Sequence, residues 1–183
     1  MNTLLQILLP ELEDSSLGED IPNATTEKPT ERITATCRRV LPALRQYSIW
    51  LTTRARILAN FAVNGTDAQN AGFRARIVEL WKSHALVLSK LLDYFNGSDL
   101  KPSQYLLEED ELTVGFKPFH SKAIPAELKI YFDSAGNHKP RVTDHGIKRN
   151  HPNIEMQSRV FDILIMGNIL SENINYPLTF SPL

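Results

Sequence analysis

The longest run of ionisable side chains is Glu108, Glu109, Asp110 and Glu111, and two chemistries could use it. Carboxylate oxygens are hard ligands for a divalent cation, and paired carboxylates can divide general acid and base roles. These four are adjacent, however, with no histidine or cation fixed beside them by spacing, so the run reads as a solvated or helix-capping segment. His138, His145 and His151 stand seven and six residues apart, which matches no compact zinc pattern. Cys37 is the only cysteine, so no internal disulfide and no thiol pair for a metal can form, and a reducing compartment is the default. A glycine-rich phosphate loop, an HExxH pair, a nucleophile elbow and a CxxC are all missing. The chain therefore reads as no enzyme, with no cofactor and no metal.

Charge is the remaining chemistry. The formal net charge is −1, but residues 1–30 carry one lysine against six carboxylates, and residues 31–95 carry ten Lys or Arg against four. The basic stretch, with Arg38, Arg39 and Arg45 among its cations, offers an electrostatic surface to an acidic partner or is the solvated face of two helices. A second group, Lys139, Arg141, Lys148 and Arg149, lies in a segment containing Gly and Pro, with Asp144 offsetting part of its charge. Such a loop can track phosphates. The aromatics that a base-stacking platform interleaves with its cations are missing from it.

The elements that must position these groups are helical. Ile33, Cys37, Val40, Leu44, Tyr47 and Leu51 follow three- and four-residue steps, which predicts an amphipathic helix over about 31–61. Cys37 falls in its apolar stripe as an inert thiol. Pro42 either starts a second helical segment or kinks one continuous helix, and Asn64-Gly65 ends the element. Phe73, Ile77, Leu80, His84, Val87, Leu88, Leu91 and Phe95 predict a second helix over about 71–95, with His84 packed rather than ligating. The short polar turn between the two predicts an antiparallel αα-hairpin. Residues 99–151 lose the period and read as a long ordered connector with one or two helical turns, although Leu128, Ile130 and Phe132 alternate like a brief strand. A last, well-buried helix starts near Asn153 or Glu155, favoured by Pro152, and ends near Asn173. At the other end, Leu4 to Leu9 form a short apolar turn or two stopped near Pro10, followed by an acidic, flexible segment.

The fold class expected is all-α: stacked antiparallel helical hairpins, α-solenoid-like, with a long irregular connector. The organisation expected is a truncated helix end and acidic loop over 1–30, a helical-hairpin domain over 31–173, and a tail over 174–183. No apolar run approaches the roughly 18–20 residues of a bilayer span, and the first ten residues lack a signal peptide's basic start. Nucleus or cytoplasm is the expected location.

Three segments carry a resemblance: VLPALRQYSIWL at 40–51, YLLEEDELTVGFKPF at 105–119 and HPNIEMQSRVFDIL at 151–164. Together they resemble the DNA/RNA-binding domain of the telomerase-activating "ever shorter telomeres" family, which also includes adaptors of nonsense-mediated mRNA decay. The resemblance spans roughly 31–170. In its middle motif Glu109-Asp110, Gly115-Phe116 and Pro118-Phe119 match, while Val114 stands at the family's usual arginine. The resemblance implies stacked hairpins, with Gly115 turning tightly, Phe116 plugging an apolar groove and Pro118 holding the exit. It also implies a truncated or diverged member, since the family's phosphopeptide-binding and nuclease-type regions find no counterpart here. Single-stranded DNA or RNA and proteins docking on helical faces are the partners implied. The nucleic-acid candidates are Arg38, Arg39, Arg45, Lys139, Arg141, Lys148 and Arg149. The alternative is a purely protein-binding helical scaffold.

Overall fold

The computed structural model describes residues 2–16, 34–64, 71–95, 100–113 and 129–172. Among them are five α-helices, one 3-10 turn and two isolated β-bridges, an all-α fold of packed helices. Helix α1 spans Asn2–Ser16 and runs through Pro10, where the sequence predicts a stop. Pro10 forfeits one intrahelical hydrogen bond, but it lies on the exposed side. Leu5, Leu8 and Leu12 bury the other side, and that tertiary packing sustains a helix too short to persist alone.

Helix α2 spans Ala35–Asn64. Thr34 caps its start, its Oγ1 accepting from the Cys37 N–H at 3.1 Å and donating to a Glu11 carboxylate oxygen on α1. Pro42 lies inside this single helix and starts no new one. Every residue from Leu44 to Ile49 is buried, so the middle of α2 is covered on all sides. Helix α3 spans Ala71–Tyr94 and buries Ile77, Trp81, His84, Val87, Leu88 and Leu91. Ser48 meets His84, whereas Leu58 shares a groove with Phe73 and Ile77. The two helices therefore run in opposite directions, as the hairpin predicts. Their closest partners lie elsewhere, since α3 packs chiefly on α1 and α2 chiefly on the last helix.

The connector contains helix α4, Glu108–Thr113, and a 3-10 turn, Lys129–Tyr131. Where alternation suggests a brief strand, Ile130 is in that turn and Phe132 makes a lone antiparallel bridge to His138. A second bridge joins Leu106 to Arg141, tying the cation-bearing loop to the start of α4. Helix α5 spans Pro152–Ser171, entered through Pro152 with His151 Nδ1 accepting from the Asn153 N–H. Arg45 pairs with Asp162, and Ile49 shares a small cluster with Met166, so α5 runs parallel to α2. A Cβ on Gly167 would lie 2.6 Å from Leu88 Cδ1, so only glycine admits α3 so close to α5 here. No helix among the described residues is long and apolar enough to cross a membrane.

Candidate nucleic-acid interface

The structure separates the seven candidate cations into three environments. Arg45 is 1% exposed and is no surface group. Its Nη1 and Nη2 donate to the two oxygens of Asp110 at 2.5 and 3.0 Å, its Nε donates to Asp162 Oδ2 at 2.7 Å, and Nη1 also reaches Glu109 Oε1 at 3.4 Å. Burial pulls its pKa down, but Asp162 and Asp110 outweigh that and hold the guanidinium above its ordinary value. Lys139 is also buried, with burial lowering its pKa against the attraction of Asp162. Both residues are corrected from phosphate contacts to interior cations. Their acidic partners lie far away in sequence, so helical periodicity places Arg45 on a stripe without showing what faces it.

The acidic run changes role with them. Glu109 and Asp110 are buried rather than solvated. Asp110 does cap α4, as expected, accepting from the Leu107 N–H at 3.0 Å, and it also accepts from Gln46 Nε2 at 2.8 Å. Glu109 takes a two-bond fork from Arg159, both bonds at 2.9 Å. Asp162, a third buried carboxylate that the sequence reading did not single out, is pushed by burial above the usual range despite Arg45 and Lys139. Glu108 is exposed beside Arg149, and Glu111 accepts from the Val142 N–H at 2.9 Å. Gly115, Phe116, Pro118 and Phe119 lie outside the described residues. Among the described residues no group of three or more His, Cys, Asp or Glu is placed to hold a metal ion.

Arg149 is exposed yet engaged. It forks onto Glu155 at 2.9 and 3.1 Å and reaches Glu108 at 3.4 Å, and Tyr105 donates to the same Glu155 at 2.8 Å. Burial raises the Glu155 carboxyl, but Arg149 and Tyr105 more than reverse that and hold it below its ordinary value. Arg149 thus fastens the loop to α5 before it can serve any partner.

Arg38, Arg39, Arg141 and Lys148 are exposed. Since α2 and α5 are parallel, Arg38 stands level with Glu155, seven residues before the Arg45–Asp162 pair on each helix. The exposed cations of early α2 and of the 141–149 loop therefore gather toward one end of the helix pair. Arg54, Arg56, Arg74 and Arg76 lie toward the other end, where α2 finishes and α3 begins. Arg39 and Arg54 are about 22 Å apart along α2 at 1.5 Å per residue. These arginines and lysines fall into two groups rather than along one stripe.

Between α1, α2 and α3, beside that second group, is a groove of about 480 Å³ lined by Tyr47, Trp50, Phe73, Arg76, Ile77 and Glu79, among others. Tyr47 and Trp50 stack with ring centroids 5.9 Å apart. The aromatics come from two helices and are distant in sequence, which is why no interleaved motif announces them.

Fold and surface together define an all-α domain of packed helices that carries exposed cations. The family model described as "Est1 DNA/RNA binding domain" matches residues 1–123, and the chain belongs to that family. No curated protein and no solved structure matches the chain.

Proposed function

We propose that the chain is the nucleic-acid-contacting helical module of an adaptor, of the kind that serves telomere maintenance or mRNA surveillance in the nucleus or cytoplasm. The observation that carries this reading is the family match over residues 1–123. The exposed cations support it, because phosphate neutralisation and counterion release drive such binding with little sequence preference. Helices stacked in solenoid fashion would present these faces to a partner. Fluorescence anisotropy of a labelled single strand between about 50 and 200 mM salt tests the reading, and affinity is expected to fall steeply over that span. Removing two exposed cations, Arg39→Ala with Lys148→Ala, flattens the salt slope. Absence of binding at the low-salt end overturns it. Val78 and Leu86, exposed apolar residues of α3, favour a second reading in which protein partners dock on helical faces.

A further inference from the structure

Building on the nucleic-acid reading, we infer that the groove between α1, α2 and α3 takes up one unstacked base of a single strand. The groove lies wholly within the residues matched by the family, whereas the 139–149 loop lies outside them. Its size is that of a small-molecule pocket. Its walls provide what a base needs. Trp50 extends the stacked Tyr47 ring and is only partly buried, and Phe73 is 48% exposed on the α3 side. Every base has a π-face, so stacking on such rings tolerates any sequence.

Charge selects this occupant over an apolar helix. Arg76 lines the groove, and Arg54 shares the face of α2 that carries the lining residues Trp50 and Leu58, against one lining carboxylate among the described residues, Glu79. Those cations suit the phosphates on either side of an inserted base. They would repel a basic peptide, and a neutral one would leave their charge unmatched. Glu79 can only accept hydrogen bonds, so it favours a base that carries an amino group. Tyr47 is nearly buried and lines the groove through its ring, which supports Trp50 from behind.

The test uses the full chain and a single-stranded DNA with one 2-aminopurine, a fluorescent base that bears an amino group and is quenched by stacking. Quenching on binding is expected, and it is lost in Phe73→Ala with about tenfold weaker affinity, the scale of one base–aromatic contact. Arg76→Ala also weakens binding, but with a shallower salt slope and the quench retained at saturation. Phe73 is half exposed, so thermal melts of the variant should match those of the parent and exclude misfolding. Binding seen by anisotropy, without quenching and unchanged in Phe73→Ala, overturns the groove while the nucleic-acid reading stands. No anisotropy change at about 50 mM salt removes both.

Discussion

Arg45 donates to carboxylates from α4 and α5, so its removal leaves Asp110 and Asp162 buried without their counter-charge. Breaking a buried ion pair from one side costs about 3–5 kcal/mol, so Arg45→Met should lower the stability read by urea melts by that order, although its stem still packs. A loss under about 1 kcal/mol would mean that water or another cation compensates. His84 is the second informative residue. It is wholly buried in α3, its Nε2 lies 3.4 Å from Ser48 Oγ, and its Nδ1 has no hydrogen-bond partner among the described residues. Burial lowers its pKa to about 4 from the ordinary 6.5. The unfolded chain thus binds the proton more readily, and stability falls as pH drops from about 6.5 to about 4, by roughly 3 kcal/mol at most. His84→Gln should remove that part of the acid sensitivity, and NMR titration of the wild-type ring should show it neutral to about pH 4. A ring that titrates near 6.5 would place it in contact with water.

Gly167 and Thr34 set how the elements meet. Gly167→Ala should gain about 1 kcal/mol of helix propensity and lose more, because its Cβ meets the buried Leu88 at 2.6 Å and overpacking costs about 1–3 kcal/mol. A net loss is expected in thermal melts, and Leu88→Ala should be less harmful on the Gly167→Ala background than alone. Strict additivity of the two would mean that α3 and α5 do not touch there. Thr34→Ala should cost about 1 kcal/mol as a lost cap, with Glu11 left without one of its hydrogen bonds. Sequence periodicity places α2, α3 and α5 to within a few residues, since a strong apolar stripe needs no knowledge of its partner. It misplaces the end of α1 because Pro10 is a breaker only where nothing else holds the turn.

For the molecule as a whole, the family match ends at residue 123 but the core does not. Met156, Val160, Ile163 and Leu170 of α5 belong to the main buried cluster, and Asp162 and Glu155 hold Arg45, Arg149 and Arg159. A chain ending at residue 123 should therefore lose cooperative melting and bind hydrophobic dyes, because the face of α2 that packs on α5 would be open to water. Circular dichroism melts of that chain beside the whole one decide it, and an unchanged sharp transition would show that α5 is dispensable.

The sequence by itself determined the helical class, the three long helices, the buried thiol of Cys37 and the packed His84. Each of these follows from a local period of apolar residues or from the absence of a nearby partner. Only the tertiary structure decided which charges face water. Arg45, Glu109, Asp110 and Asp162 look like solvent-exposed groups in isolation, and each is buried because its counter-charge arrives from another element, about 50 to 117 residues away along the chain. The aromatic groove has the same origin, since Trp50 and Phe73 become neighbours only when α2 folds back on α3. Electrostatic pairing and ring stacking depend on distance in space, and spacing along the chain reports that distance only within one helix.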